Sequence, residues 1–432
     1  MMPCTVVVGT QFGDEGKGKV VDYYSDLMDI VVRYNGGANA GHTVVVGNEE
    51  FAFQLLPSGI LRRDKTVMIG NGVVLDPEVF LTEVNNLKRR GVTPAQIFIS
   101  DRAHVVMPYH KIMDLAQEKF KGNLRAGSTR RGIGPCYSDK IARFGIRVCD
   151  LLDENVLSEK LDIFVPLQER LLAAYGEDVK VSKEELKRQC LAFGAKLLPY
   201  VADTLKLLDE AVSEGKRILL EGAQGTHLDI DWGIYPYGTS SNTVSGGACT
   251  GSGIPPTRID RVVGVVKAYT SRVGEGPFPT ELKDQIGAHL QEKGGEYGTV
   301  TKRPRRCGWL DMVMVNYSIR INGVSAIALT KVDVLSGLEE IKVCTSYKYK
   351  GEELKSFPAN MHVLSECQPE YKSLKGWNEL SKEEWFSCLE KGYSSMPENL
   401  RNYIEYIEKE AKTSVGLVSF GPERALTLET PF

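Results

Sequence analysis

Short apolar runs without polar alternation recur along the chain, and each run ends in small or polar residues. We interpret as strands the runs at residues 6–8, 30–32, 67–69, 218–220, 262–266 and 326–329. Amphipathic patterns typical of helices lie between some of them, at residues 77–90, 110–121, 183–198 and 202–214. Buried strands interleaved with helices are typical of a sheet whose two faces are both covered. The pattern therefore predicts an α/β fold with a large, mostly parallel central sheet and ligand sites beyond the carboxyl ends of its strands.

Two long stretches fit neither pattern. Residues 235–256 are rich in Gly, Ser and Thr, and residues 271–308 contain the basic run Lys302-Arg303-Pro304-Arg305-Arg306. Loops of this length inside a compact domain are usually functional. Since predicted strands bracket the second stretch, we interpret it as an active-site loop. Its basic run could be a solvated patch or a nucleic-acid contact, but its context favours a small anionic ligand.

Composition narrows the class of protein. The chain has 432 residues, 42% of them hydrophobic, 25% charged, and a net charge of −3. That charge argues against nucleic acid as the main partner. The nine cysteines are dispersed without Cys-x-x-Cys pairs, as expected for reduced thiols in a cytoplasm. No apolar stretch is long enough to span a bilayer, so we expect a cytoplasmic protein without a membrane partner.

The first strand runs directly into a glycine-rich loop. Residues 9–19 read Gly-Thr-Gln-Phe-Gly-Asp-Glu-Gly-Lys-Gly-Lys, a pattern in which backbone N–H groups and a helix N-terminus converge on phosphate. Val20 stands where a P-loop needs Ser or Thr to hold Mg²⁺. The loop instead carries two carboxylates, Asp14 and Glu15, and phosphates would repel them unless they bind a metal or take a proton. We therefore interpret this loop as a phosphate-binding site that also carries out metal or base chemistry. The alternative is a turn with two solvated acids.

Two further segments follow predicted strands. Residues 35–43 read Asn-Gly-Gly-Ala-Asn-Ala-Gly-His-Thr, where Asn39 and His42 offer hydrogen bonds and a proton in a loop that a ligand can approach. The alternative is a structural histidine. Residues 330–333 read Thr-Lys-Val-Asp, similar to the Asn-Lys-x-Asp with which GTPases accept the two adjacent donors of guanine. Here the alternative is a helix-capping Asp333.

Together these segments resemble the adenylosuccinate synthetase family, the GTP-dependent ligases that join aspartate to IMP. The resemblance runs over essentially the whole chain and also includes residues 132–135, 221–226, 239–242, 276–280 and 419–422. It implies a P-loop-NTPase-like α/β fold with long functional loops and inserted helical segments, in a single domain over residues 1–432. It also implies a homodimer, the substrates GTP, IMP and L-aspartate, and Mg²⁺ as cofactor.

The resemblance also implies roles for individual residues in catalysis. Asp14 would remove the N1 proton of IMP, and Asp14 and the Gly41 carbonyl would bind the metal. His42 and Lys17 would assist transfer of the γ-phosphate to O6 of IMP, with Gln224 as the fourth catalytic residue.

Binding residues are carried over in the same way. The GTP-binding set is Gly13, Glu15, Gly16, Gly18, Lys19, Gly41, Thr43, Arg305, Lys331, Val332, Asp333, Ser419, Phe420 and Gly421. The IMP-binding set is Asp14, Lys17, Asn39, Ala40, His42, Thr129, Gln224, Thr239 and Arg303, with Arg143 reaching the IMP of the neighbouring subunit. The aspartate-binding set is Thr299, Val300, Thr301, Arg303 and Arg305.

Some positions depart from the common pattern of the family. Residues 128–131 read Ser-Thr-Arg-Arg, where two threonines and a glycine usually precede the arginine, and Val300 replaces a common threonine. Pro304 stiffens the aspartate loop, the segment at residues 299–305 that resembles the loop closing on aspartate in the family. Because Thr301, Arg303 and Arg305 are retained, we expect aspartate recognition to survive. Two other classes of protein stay open: a regulatory P-loop GTPase or ATPase without ligase activity, which Val20 and the loop at residues 35–43 disfavour, and a non-catalytic scaffold.

Overall fold

The structure, a computed structural model, describes residues 4–46, 49–298 and 303–430. In these ranges the strands, numbered β1 to β20, are Cys4–Gly9, Ile30–Arg33, His42–Val46, Glu49–Phe53, Thr66–Ile69, Val74–Leu75, Gln96–Ser100, His104–Val105, Val201–Ala202, Ile218–Glu221, Arg261–Lys267, Thr270–Arg272, Arg306–Gly308, Leu310–Asp311, Ala326–Thr330, Glu340–Tyr349, Glu352–Leu354, Gln368–Lys375, Val415–Ser419 and Thr427–Glu429. The α-helices, numbered α1 to α13, are Lys17–Ser25, Pro77–Arg89, Pro108–Lys121, Ile133–Ala142, Glu154–Ala174, Lys183–Leu197, Thr204–Ser213, Ser245–Ser252, Gln285–Lys293, Met312–Asn322, Met361–Glu366, Lys382–Lys391 and Glu398–Ala411.

Ten of the strands form one sheet, in the order β20-β19-β15-β11-β1-β10-β2-β5-β7-β9. Every neighbouring pair is parallel except β19 and β20, which are antiparallel. The predicted mostly parallel sheet is confirmed, and all six apolar runs interpreted as strands belong to it. Since parallel strands end at the same edge, the polar residues that follow β1, β2, β10, β11 and β15 are gathered there.

Helices cover both faces of the sheet, as predicted. Side chains alternate along β1, so Val6 packs into the apolar cluster of α10 and α13, whereas Val7 packs into the cluster of α1 and α2. Both valines are fully buried. Burial on both faces removes the selection for polar alternation, which is why these strands read as continuous apolar runs. The four predicted helices are present as α2, α3, α6 and α7, within two residues of their predicted ends.

The two stretches that fitted neither pattern contain regular structure. The stretch at residues 235–256 includes α8, whose small residues allow close backbone packing: a side chain at Gly251 would meet the carbonyl oxygen of Tyr34 at 2.1 Å. The stretch at residues 271–308 includes α9 and the antiparallel pair β12 and β13. Interpreting either stretch wholly as loop was therefore wrong, because Gly and Ser lower helix propensity without preventing a packed helix.

A second, smaller sheet was not predicted. Strand β16 pairs in parallel with β14 and antiparallel with β17 and β18. Strands β3 and β4 form a separate antiparallel pair, in which β3 begins at His42. Within the described residues no helix has both the length and the apolar character that a membrane crossing requires.

Candidate functional site

A cavity of about 900 Å³ opens at the carboxyl edge of the central sheet. Its walls are formed by the segments that follow β1, β2, β10 and β15, together with the loop before α4 and the residues after β19. This is the edge at which parallel α/β sheets bind ligands, because loops and helix N-termini converge there. The cavity is therefore the candidate site.

The glycine-rich loop places a helix N-terminus in the cavity wall. Gly13 and Gly16 have φ of 83° and 90°, and α1 begins at the next residue, Lys17. A side chain at Gly18 would meet the Cβ of His42 at 3.1 Å, so glycine lets the histidine lie directly against the helix. The free N–H groups of α1 and the imidazole consequently share one wall.

The two carboxylates of the loop have different surroundings. The Glu15 side chain is fully buried and accepts N–H bonds from Gln11 at 3.0 Å and Gly13 at 2.9 Å, with the Lys17 ammonium at 2.6 Å. It therefore holds the loop together. The Asp14 side chain is 31% exposed and faces the cavity, where its Oδ2 lies 2.9 Å from Nε of Arg305. Asp14 is the carboxylate that a ligand can reach.

His42 is held in an uncharged state. Its Nε2 is buried without a hydrogen-bond partner, and its ring lies 5.8 Å from that of Phe53. Burial, followed by the charges of Arg33 and Lys17, lowers the pKa of His42 to about 3. The sequence suggested a group that exchanges a proton near neutral pH. In the free protein the side chain is instead a neutral imidazole whose Nε2 has no hydrogen-bond partner.

The loop at residues 35–43 contacts the segments after β10. The Asn35 side chain accepts an N–H bond from Ala223 at 2.8 Å and donates to Ser241 at 3.1 Å. Asn39 donates to the Thr239 hydroxyl at 3.5 Å. Gln224 has φ of 61° and a buried amide nitrogen without a partner. Asn39, Gln224 and Thr239 are thus brought together with unused hydrogen-bonding capacity.

Thr129 lies on a loop that two carboxylates of α3 hold in place. Glu118 accepts N–H bonds from residues 126–128 at 2.8 to 3.2 Å, and Asp114 accepts from Gly132 at 2.9 Å. Arg303 donates to the carbonyl of Ser128 at 3.2 Å, which joins the basic run to this loop. Neither carboxylate was predicted from the sequence, although their i, i+4 spacing on one helix face was a usable signal.

The segment after β15 and the end of β19 form the other end of the cavity. Asp333 has a buried Oδ1 without a hydrogen-bond partner, as a group reserved for a ligand donor would. Lys19 donates to the carbonyls of Gly421 at 2.9 Å and Leu426 at 2.7 Å, tying the phosphate loop to the residues after β19. Burial lowers the pKa of Lys19 to about 7, although Asp333 and Glu423 oppose the change.

Most of the residues predicted from the sequence line the cavity. They are Gly13, Asp14, Gly16, Lys17, Gly18, Lys19, Asn39, Ala40, Gly41, His42, Thr43, Thr129, Gln224, Thr239, Arg303, Arg305, Lys331, Ser419 and Gly421. Glu15, Val332 and Phe420 do not line the cavity but are each next in sequence to a residue that does, and Asp333 lies two residues after the lining Lys331. Thr299, Val300 and Thr301 lie outside the described residues.

Arg143 is not among the residues that line the cavity. It is exposed at the end of α4, where it has φ of 69°. The charged lining residues that were not predicted also include Arg33 at the end of β2 and Glu221 at the end of β10. The sequence feature that could have predicted Arg33 and Glu221 is a charged residue at the end of an apolar run. Burial raises the pKa of Glu221 although Arg33 opposes the rise, and the carboxylate accepts from the N–H of Ser58 at 2.8 Å.

No group of three or more His, Cys, Asp and Glu side chains in the described part of the chain is arranged to hold a metal ion. The cavity does present the Asp14 carboxylate and the segment of Gly41. Mg²⁺ is commonly held by one or two carboxylates, with phosphate oxygens of the substrate and water completing its coordination. The oxygen donors present fit that ion when it arrives with a nucleotide.

The parallel sheet, the phosphate-type loop at the N-terminus of α1 and the cavity at the carboxyl edge define a nucleotide-binding α/β enzyme. The model of the adenylosuccinate synthetase family matches residues 6–428. The adenylosuccinate synthetase of Caldicellulosiruptor bescii is 51% identical over 424 residues, 98% of each chain, and that of Halothermothrix orenii is 50% identical over 419 residues, 97% of this chain and 96% of the other. The chain belongs to the adenylosuccinate synthetase family. It is a ligase of the kind that forms a C–N bond in the GTP-dependent joining of aspartate to IMP, a step of AMP synthesis.

Solved structures agree with this assignment. The fully ligated adenylosuccinate synthetase of Plasmodium falciparum superposes with a TM-score of 0.91 at 39% identity, covering 99% of this chain and 100% of the other. The succinoaminodeoxyadenylate synthetase of cyanophage S-2L has a TM-score of 0.63 at 22% identity, covering 100% and 96%, which shows a shared fold. Nothing in these comparisons supports a regulatory GTPase without ligase activity.

Proposed function

We propose that this chain makes adenylosuccinate, GDP and phosphate through a 6-phosphoryl-IMP intermediate, as the first committed step of AMP synthesis. The observation that carries the proposal is the common cavity wall of Asp14, Lys17 and His42 at the N-terminus of α1. Oxygen at C6 is a poor leaving group for displacement by an amine, so phosphorylation must precede displacement. A base, a cation and a neutral imidazole that line one cavity would serve such a transfer.

In the first step, Asp14 takes the N1 proton of IMP, and O6 attacks the γ-phosphorus of GTP. The bond from that phosphorus to the β,γ-bridging oxygen breaks, and GDP leaves. Lys17 offsets the charge of the transferring group, and His42 donates a hydrogen bond to it from its neutral ring. In the second step the amino group of aspartate attacks C6, phosphate leaves, and the amine loses a proton. Gln224 has a free amide nitrogen in the cavity wall to orient the base of IMP.

GTP would occupy the cavity from the loop at residues 13–19 to the segment after β15. Asp333 and Lys331, with Val332, Ser419, Phe420 and Gly421, would bind guanine. Backbone groups of the loop at residues 13–19, together with Gly41 and Thr43, would bind the phosphates. The buried and unpartnered Oδ1 of Asp333 supports a guanine contact, because guanine supplies two adjacent donors. Glu15 would contribute through its backbone, since its carboxylate is committed to the loop.

Asp14 and the Gly41 carbonyl would hold Mg²⁺ together with oxygens of the nucleotide. When bound, the ion would offset phosphate charge during the transfer. The exposed edge of the Asp14 carboxylate supports this assignment.

IMP would be bound by Asn39, Ala40, Thr129, Thr239 and Arg303. Aspartate would be bound by Arg303 and Arg305, with residues 299–301. The Arg305 guanidinium lies against Asp14 in the free protein, and a substrate carboxylate would take over part of that pairing.

The active unit we propose is a cytoplasmic homodimer of single-domain subunits spanning residues 1–432. Arg143 is exposed and does not line the cavity of its own subunit, which supports a role at the IMP of the neighbouring subunit. A bidentate cation suits the phosphate of IMP.

The test is product formation by the purified protein with GTP, IMP and aspartate. We expect adenylosuccinate and phosphate in equal amounts, with neither formed when any one substrate is omitted. Phosphate release from GTP alone at the full rate would instead identify a GTPase and refute the proposal.

A further inference from the structure

A buried ionic cluster lies directly behind the cavity, centred on Glu296. Its carboxylate is fully buried and accepts from the Lys267 ammonium at 2.9 Å, the Arg305 guanidinium at 2.9 Å and the Lys331 ammonium at 3.3 Å. The Tyr269 hydroxyl donates a further hydrogen bond to it. One carboxylate thus contacts three cations, two of which line the cavity.

The backbone of Glu296 is fixed to the same region. Its carbonyl accepts the N–H of Arg305 at 2.8 Å, and the Gly298 N–H donates to the carbonyl of Arg303 at 2.8 Å. Tyr297 and Pro304 form an antiparallel bridge between these contacts. Glu296 therefore holds Arg305 through both its backbone and its side chain.

The charge balance depends on this one anion. Burial alone would raise the pKa of Glu296, but Lys267, Lys331 and Arg305 hold it well below its ordinary range. Lys267 is only 1% exposed, so without Glu296 its charge would be buried beside the Ser271 hydroxyl and the Tyr269 ring. Removing one member of a buried ion pair is far more disruptive than removing both.

The two cations that line the cavity, Arg305 and Lys331, have different proposed substrates. Arg305 bridges Glu296 to Asp14, with Nη1 on the first carboxylate and Nε 2.9 Å from the second. Lys331 extends from the segment that carries Asp333. We propose that Glu296 is a positioning residue that orients Lys331 toward guanine and Arg305 toward aspartate from a single carboxylate. This inference rests on the roles of Lys331 and Arg305 given under Proposed function.

The test is the set of three KM values for Glu296→Gln. The amide keeps the size of the side chain and an acceptor for Tyr269 but loses the charge that orients both cations. We expect the KM values for GTP and aspartate to rise together, each by about tenfold or more, while the KM for IMP stays within about twofold. A purely structural role would lower kcat and Tm without this division among substrates.

Glu281→Gln is the matched control, because Glu281 pairs at 2.7 Å with Arg306, the neighbour of Arg305, outside the cavity. It should leave all three KM values unchanged. If Glu296→Gln does not fold, Lys267→Met combined with Glu296→Gln removes both members of the most buried pair and should still raise the two KM values.

Lys331→Met and Arg305→Leu separate the possible failures. Suppose that Lys331→Met raises the KM for GTP and Arg305→Leu raises the KM for aspartate, while a folded Glu296 variant changes neither. Then only the proposed role of Glu296 is refuted. If Lys331→Met and Arg305→Leu have no effect, the proposed roles of those cations fail and the inference fails with them.

Discussion

Asp14 and Glu15 are adjacent carboxylates with opposite surroundings. Glu15 is fully buried and satisfied by N–H groups and Lys17, whereas Asp14 is 31% exposed to the cavity and paired with Arg305. Glu15 fixes the shape of the loop, and Asp14 remains available for a proton or a metal ion. A glycine-rich loop with its own carboxylates can therefore still receive phosphates.

The first prediction concerns Asp14→Asn. An amide cannot take the N1 proton of IMP and is a weaker ligand for Mg²⁺, so kcat should fall by about 10²–10⁴-fold. Tm should change little, because Arg305 keeps Glu296 as a partner. The exposed Asp64→Asn is the matched control and should leave kcat unchanged. Activity of Asp14→Asn within about tenfold of the wild type would remove Asp14 from the mechanism.

The second prediction concerns the choice of nucleotide. Asp333→Asn should weaken the binding of GTP by about 2–4 kcal/mol and strengthen the binding of XTP. The 2-oxo group of XTP accepts a hydrogen bond where the 2-amino group of guanine donates one. The KM values for both nucleotides are the measurement. Unchanged dependence on GTP would show that Asp333 does not contact guanine.

Individual site residues could be predicted from the sequence where they stand in short motifs. Asp14, Lys17 and His42 stand in glycine-rich segments that follow strands, and the structure brings these three side chains to one cavity. Glu296 stands in the run Gly-Gly-Glu-Tyr-Gly, which has no local feature of a buried anion. Its environment is created by β11, β13 and the end of β15, so only the fold reveals it.

Among the elements, a short 3-10 helix at Thr226–Leu228 packs His227 against α10. The imidazole is fully buried, contacts the carbonyl of Met314 at 3.0 Å and lies 4.4 Å from the ring of Phe357. Burial lowers the pKa of His227 to about 4 from an ordinary value of 6.5. The unfolded state therefore binds the extra proton first as pH falls.

The third prediction is a pH dependence of stability that originates in this contact. Between pH 6.5 and about 4 the unfolded chain holds more protons at His227, so the contribution is complete above pH 6.5 and is lost as pH falls. The slope is at most about 1.4 kcal/mol per pH unit. His227→Gln keeps a donor for Met314, so its Tm, although lower at pH 7, should decrease less steeply toward pH 5.

The exposed His362→Gln is the control and should keep the wild-type slope. Parallel curves of Tm against pH for the wild type and His227→Gln would show that His227 does not contribute to acid sensitivity.

Helices and strands could be predicted where a single physical rule, such as burial of both faces of a sheet, determines the sequence pattern. Continuous apolar runs identified six strands of the central sheet because both faces of that sheet are buried. Helix α8 was missed because its small residues serve contact with the backbone of Tyr34, a requirement set by tertiary packing. Strand β18 is mostly exposed and has no continuous apolar run, so the second sheet gave no comparable signal.

For the whole molecule, the parallel order of the strands explains why one cavity collects residues that are hundreds of positions apart. Lys19 and Gly421 are in contact across the sheet edge, as are Gln11 and Tyr269. Of the proposed IMP-binding residues, Arg143 alone does not line this cavity.

The fourth prediction tests whether Arg143 acts in the neighbouring subunit. Arg143→Leu should raise the KM for IMP sharply without lowering Tm, because the side chain is exposed. When it is mixed with Asp14→Asn, each mixed dimer should contain one site with both changes and one intact site. Random exchange makes half of the dimers mixed, so about a quarter of wild-type activity should return. If subunits exchange and no activity returns, Arg143 acts within its own subunit.

The most direct test of the central claim follows the oxygen at C6 of IMP. If O6 attacks the γ-phosphate in the cavity of Asp14, Lys17 and His42, then IMP labelled with ¹⁸O at C6 must transfer that atom to the released phosphate. We predict one labelled oxygen in phosphate for each adenylosuccinate formed, measured by mass spectrometry. Unlabelled phosphate, with the label released as water, would contradict the phosphorylated intermediate and the roles that depend on it.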